Sequence, residues 1–237
     1  SSEDGGTAGT GSSDPSASDA GQACACTAFS NPILVPNLPP LNGNADLANV
    51  PEGLMLVGDD GKPVEPLHTD WDTVVFTHGW SREGKAENFP SPAAWRAKKF
   101  NTLIYRWHRR SFEPGVIPIE ASKRIPAVSA ELAGLLEGLK RSLGPGAAKE
   151  LRLVGHSLGG MVMAYTANRI FGDATTAVRR LELLDPAYLF DFTDAGTQTA
   201  PGGSDGGTIS YSEPGAILAS LNKSGVHIVS YNSVVAK

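Results

Sequence analysis

Between residues 150 and 172 an apolar run, Leu151, Leu153 and Val154, breaks at Gly155, His156, Ser157, Leu158 and Gly159. It resumes as Met161, Met163, Ala164, Ala167 and Ile170 at near-helical spacing. The pattern predicts a short strand, a sharp turn with a serine at its tip, and a helix that runs to Gly172. A serine at such a tip sits in a strained backbone conformation, and the residues two places away must lack bulk so that strand and helix can pass closely. Gly155 and Gly159 meet that need. In a chain with 27 glycines a short Gly-Ser-Gly turn can arise by chance. The strand before it and the helix after it make this one a constraint on the fold.

A chain of 237 residues fits one α/β domain, and an apolar content of 41% is enough for its core. The core need not use the whole length. Residues 1–22 contain no Leu, Ile, Val, Met or aromatic side chain, so they cannot bury enough surface to offset chain entropy. The expectation is a disordered Ser/Gly/Asp-rich tail over 1–28 and a folded domain over 29–237. Four of the 25 acids (Glu3, Asp4, Asp14, Asp19) lie in the tail, which leaves 21 acids against 20 bases in the remainder. A nearly neutral body has no basic stripe for nucleic acid, and Arg106, His108, Arg109 and Arg110 read as a solvated loop rather than a phosphate site.

No apolar stretch approaches the ~20 residues of a membrane span. The chain opens on Ser1 rather than Met, and its Ser/Gly/Asp spacer resembles those that follow an export signal in bacterial secreted proteins and lipoproteins. A secreted or cell-envelope location, with the signal removed, is the expectation. Cys24 and Cys26 are the only cysteines. One residue apart, they would close a very small, strained ring, and two cysteines alone do not make a metal site. They read as incidental thiols or a local bridge.

Prolines 32, 36, 39 and 40 force an extended lead-in. Asp59, Asp60 and Gly61, flanked by residues 54–57 and the stretch after Lys62, signal a hairpin and an antiparallel starting pair. Residues 73–77 and 102–105 are β-branched and aromatic runs of the kind that form strands buried on both faces. Helices are predicted over 92–99 and 125–143. In the second, Val128, Leu132, Leu135, Leu136, Leu139 and Leu143 keep one apolar face until Gly144, Pro145 and Gly146 end it. A further strand is expected over 178–184 and a loop over 194–215. This alternation predicts an α/β fold with a mostly parallel central sheet, helices on both faces and right-handed crossovers.

A serine hydroxyl becomes a nucleophile when a neighbouring base removes its proton, and the tetrahedral intermediate needs donors aimed at its oxyanion. His78, Gly79 and Trp80 follow the strand 73–77, where such folds turn a backbone N–H toward the serine. The expected donors are the N–H groups of Trp80 and Leu158. His78 precedes the serine, the wrong chain order for a base in this arrangement, and reads as a histidine that pins its loop by hydrogen bonds. Asp185 stands at the carboxyl end of a predicted core strand, before Pro186, where the acid of a Ser-Asp-His set belongs, with Asp191 and Asp194 as fallbacks.

Four runs carry a resemblance: Phe76 to Trp80, Asn101 to Trp107, Gly155 to Gly160, and Leu183 to Ala187. In this order and spacing they are similar to the pancreatic-lipase-like branch of the α/β-hydrolase superfamily, over about residues 70 to 190. The resemblance implies Ser157 as nucleophile, Asp185 as acid, and the amides of Trp80 and Leu158 as the oxyanion hole. It also implies hydrolysis of carboxylic esters such as glycerides or phospholipids, without a cofactor; no residue is assigned as a metal ligand, and a calcium requirement is left open.

The base is the open part. Only His227 follows Asp185, and the segment from His227 to Tyr231 is loosely similar to the family's histidine segment. Residues 225–231 also read as a core strand, whereas a catalytic histidine belongs on a loop beyond the strands. Members of that branch usually carry a further helix after the histidine, and ten residues follow His227 here. Two readings therefore stand side by side: His227 is the base, or the chain lacks it. The first gives a serine esterase acting on a small-molecule or lipid ester, with acyl transfer to another alcohol as a variant. The second gives a hydrolase-fold binding module without turnover. The loop over 193–207 has almost no apolar surface, and only Tyr188, Phe190 and Phe192 could line an acyl groove. A soluble or short-chain ester suits that composition better than an emulsified triglyceride.

Overall fold

β-Branched and aromatic runs become the centre of one sheet. The computed structural model describes residues 33–34, 51–64, 67–81, 90–113, 118–143, 150–170, 178–187 and 213–233. Its strands are β1 (Ile33–Leu34), β2 (Gly53–Leu56), β3 (Asp72–Thr77), β4 (Phe100–Arg106), β5 (Leu151–His156), β6 (Val178–Leu184) and β7 (His227–Tyr231). They pair in the order β1-β2-β4-β3-β5-β6-β7. The β1–β2 and β2–β4 pairs are antiparallel, and the pairs from β4 through β7 are parallel. This is the mostly parallel sheet of an α/β-hydrolase fold.

Alternation along the central strands divides the core into two. Val75, Leu103, Tyr105 and Leu153 join the cluster that holds α4 (Ile125–Leu143), α5 (Leu158–Ile170) and α6 (Glu213–Lys223). Val74, Phe76, Ile104 and Val154 face the other way, where Trp95 of α1 (Pro92–Arg96) packs edge-on against Phe100 at 5.3 Å. Helices thus cover both faces, as a parallel sheet buried on both sides requires. The α4–α5 contact also has polar ties: Ser129 Oγ donates to the Val162 carbonyl at 3.1 Å and Thr166 Oγ1 to that of Ser129 at 3.4 Å. Two single turns, α2 (His108–Ser111) and α3 (Ile119–Lys123), link β4 to α4.

Several expectations change. The turn at 58–61 forms, with Gly61 N–H on the Gly58 carbonyl at 2.9 Å, but residues after Lys62 add only the bridge Val57–Pro63. The antiparallel partners of β2 are β1 and β4 instead. The helix expected over 92–99 ends at Arg96. Residues 213–215, expected in a loop, open α6, whose Ile217 and Leu221 are buried one turn apart. The tail 1–28 with Cys24 and Cys26, the residues Tyr188, Phe190, Phe192, Asp191 and Asp194, and the loop 193–207 lie outside the described residues. Among the described residues, no helix is long and apolar enough to cross a membrane.

Candidate active site

Ser157 joins β5 to α5 at φ +53°, in the left-handed region that a β-carbon disfavours. Its amide donates to the Leu184 carbonyl at 2.8 Å, and its carbonyl accepts from Gly160 at 3.0 Å and Ala187 at 3.3 Å. The two flanking glycines have no room for a side chain. A Cβ on Gly155 would lie 2.3 Å from the Gly159 carbonyl oxygen, and one on Gly159 would lie 2.6 Å from the carbonyl oxygens of Thr77 and His78. The predicted elbow is therefore built as the sequence requires.

The loop after β3 closes over the serine. A Cβ on Gly79 would sit 2.6 Å from Ser157 Cβ and 3.1 Å from its hydroxyl oxygen, so residues 78–80 pass directly against the elbow. Leu158 opens α5, where an amide has no intrahelical acceptor. Among the described residues, no backbone carbonyl accepts from the N–H of Trp80 or of Leu158. His78 is fully buried. Trp107 N–H donates to its Nε2 at 3.2 Å, which assigns the proton to Nδ1, and Nδ1–H donates to the Gly79 carbonyl at 2.9 Å. Trp107 Nε1–H donates to the His78 carbonyl at 2.8 Å. Both ring nitrogens hold backbone, so His78 pins its loop as expected.

Asp185 follows β6 at φ +44°, exposed, one strand over from Ser157. Its amide donates to the Tyr231 carbonyl at 2.7 Å. The Ser233 amide donates to its Oδ1, and this bond is the main cause that holds the carboxyl below the ordinary aspartate value of 3.8. The Ser233 side chain and, to a smaller degree, the positive field of His156, the residue before Ser157, lower it further.

His227 does not join them. It opens β7, exposed, and pairs with Arg180, while Tyr231 at the other end of the strand pairs with Leu184. Four residues at about 3.3 Å each put the His227 backbone roughly 13 Å below the carboxyl edge where Ser157 and Asp185 stand. The expectation of His227 as the base is corrected by this register: the strand reading of residues 225–231 won, and a residue at the amino end of a parallel strand cannot reach the opposite edge. His68 stands at the amino ends as well, tied to Asn101 near the start of β4.

A family model described as Lipase matches residues 62–204, more than half of the chain. The chain belongs to the Lipase family. It is similar to a protein named "Putative endothelial lipase" from Crotalus adamanteus, 28% identical over 138 residues. That match covers 56% of this chain and 26% of that protein, so the chain spans about a quarter of the relative's length. Among solved structures it is similar to apo Thermogutta terrifontis esterase 2, with 12% identity and a TM-score of 0.41 over 77% of this chain and 78% of that one. It is also similar to the mature form of the Bacillus licheniformis lipase BlEst2, with 19% identity and a TM-score of 0.35 over 70% and 64%.

Two features of this lipase-family site were not read from the sequence. Ser233 serves Asp185 through its backbone amide first and its side chain second, and a single serine 48 residues further on belongs to no motif that marks it. The Arg106–Arg110 cluster is not a solvated loop: His108 is fully buried and Arg110 is enclosed by Glu52 and Glu131. Glu52 lies 58 residues away in the chain, so only the topology brings the pair together.

Proposed function

We propose that this protein hydrolyses carboxylic esters through an acyl-enzyme on Ser157. The observation that carries the reading is the left-handed Ser157 between β5 and α5, with the Gly79 loop against its hydroxyl. In this mechanism the Ser157 oxygen attacks the acyl carbon and a base accepts its proton. The amides of Trp80 and Leu158 hold the oxyanion as it develops. Collapse expels the alcohol with the returned proton, and water releases the acid by the same steps. Asp185, kept ionised by Ser233 and His156, stands at the carboxyl edge beside Ser157, where its charge would orient the base; His227 does not stand there. The polar composition of residues 193–207 favours a soluble or short-chain ester, and the Ser/Gly/Asp-rich start of the chain favours export.

One observation favours a second reading, a hydrolase-fold binding module without turnover: His227 stands at the wrong end of its strand. A serine-directed phosphonate with mass mapping, run beside p-nitrophenyl ester turnover, separates the two. Labelling at Ser157 with turnover supports the esterase. A folded protein that gives neither signal supports the binding module.

A further inference from the structure

The loop that faces Ser157 is held by one neighbouring segment. Besides the two His78–Trp107 bonds, Ser81 N–H donates to the Ser111 carbonyl at 3.3 Å, and Trp80 Nε1–H donates to the Glu113 carbonyl at 3.0 Å. Residues 78–81 are thus laced to residues 107–113 at four points. That second segment contains α2, a single turn with no capping side chain of its own, and an isolated turn is not self-supporting.

External groups fix it at both ends. Glu52, whose carboxylate has no solvent exposure, accepts from the amides of Arg109 and Arg110 through Oε1 and takes the place of an N-cap side chain. Arg124 Nη1 donates to the Arg110 carbonyl at 2.8 Å. The Arg110 guanidinium then joins three elements: Nε donates to Glu52 Oε2 at 3.1 Å, and its two terminal nitrogens donate to Glu131 of α4 at 2.8 and 3.1 Å. It also donates to the Tyr105 hydroxyl of β4 at 3.0 Å. Charges taken this far out of water contribute little net stability, since desolvation offsets the attraction; what they give here is one fixed geometry.

We propose that Arg110, clamped between Glu52 and Glu131, is a positioning residue for the oxyanion loop, acting through residues 107–113 on the peptide units of His78, Gly79 and Trp80. The inference rests on the esterase reading for its catalytic consequence, but its structural half can be read without activity. Removal of the clamp lets the Trp80 amide move while the elbow keeps its own backbone ties, so kcat changes and KM does not.

The test compares the full chain with Arg110→Lys, Arg110→Met and the double variant Glu52→Gln/Arg110→Met, which leaves no unpaired charge at Glu52. The readouts are kcat and KM on a p-nitrophenyl ester and amide hydrogen exchange across the chain. For the double variant, kcat is expected to fall about 10- to 100-fold with KM within about twofold, less than the roughly 100- to 1000-fold of a donor removed outright, because the Trp80 amide is displaced and not lost. Exchange should quicken at 78–81 and 107–113 while α5 stays protected. Arg110→Lys should recover part of kcat. A double variant with wild-type kcat and unchanged exchange at 78–81 overturns the proposal, as does exchange that quickens uniformly. If the wild type neither turns over ester nor accepts the phosphonate, the esterase reading fails and the exchange pattern alone decides the clamp.

Discussion

Ser157 and Asp185 end neighbouring parallel strands, β5 and β6, and both hold positive φ, +53° and +44°. The two strained positions are tied through backbone: Ser157 N–H donates to Leu184, the residue before Asp185, and Ala187 N–H donates to Ser157. Strain of this kind costs about 1–3 kcal/mol per residue and persists because the surrounding structure overdetermines it. Replacement of the serine by glycine should therefore separate stability from function. Ser157→Gly is expected to raise the unfolding free energy by about 1 kcal/mol in urea titration. Both Ser157→Gly and Ser157→Ala should lose ester turnover by at least about a thousandfold. A Ser157→Gly protein that is less stable than wild type would remove strain from this account of the elbow.

The glycines on either side of the elbow give a sharper contrast. A Cβ at Gly155 would meet backbone atoms of Gly159 and Gly160 at 2.3–2.6 Å, and backbone cannot swing aside as a flexible side chain can. Gly155→Ala should cost about 3 kcal/mol or more, or prevent folding. Gly134, on the exposed side of α4, has nothing within 4 Å of its would-be Cβ. Gly134→Ala should stabilise by about 0.5–1 kcal/mol through helix propensity alone. Paired chemical denaturation curves check both, and equal effects at the two sites would contradict the geometry.

Much of this architecture was legible because it is local. The helix expected over 125–143 and the strand over 178–184 have the bounds observed for α4 and β6, since each carries a long unbroken pattern with clear stops. The elbow, the His78 loop and the Asp185 turn were legible for a related reason: each couples a core strand to a compact motif. Helix α6 was not, because its apolar run over 216–221 is short and follows a Gly/Ser/Asp-rich stretch and Gly215, although Ile217 and Leu221 are buried and Leu218 packs beside them. The role of Arg110 depends on Glu52 and Glu131, partners 58 and 21 residues away, and four neighbouring basic residues look solvated until those acids are in place. His227 shows the opposite failure, in which residue type and chain order matched but register did not.

The placement of His227 makes a direct prediction. An exposed side chain at the amino end of β7 contributes little to the core. His227→Ala should leave the unfolding free energy within about 0.5 kcal/mol of wild type. It should also leave p-nitrophenyl ester turnover unchanged, because its backbone stands the length of a strand from Ser157. A large selective loss of kcat in a folded His227→Ala protein would restore it to the catalytic set and refute the register assigned to β7.

Asp185 offers a test in pH. The Ser233 amide and His156 hold its carboxyl below the ordinary 3.8 in the folded chain, while unfolding releases it toward that value. Below and around 3.8 the unfolded state then binds more protons than the folded one. The contribution of Asp185 to stability is accordingly present above about pH 3.8 and is lost as pH falls through the depressed folded value. Asp185→Asn keeps an acceptor for the Ser233 amide but carries no charge. The difference in unfolding free energy between wild type and Asp185→Asn, measured by urea titration across this range, should be constant at neutral pH and shrink on the acid side. A difference that stays constant or grows with acid would mean that Ser233 and His156 do not favour the ionised carboxylate, and would leave Asp185 without the fixed charge that its proposed orienting role requires.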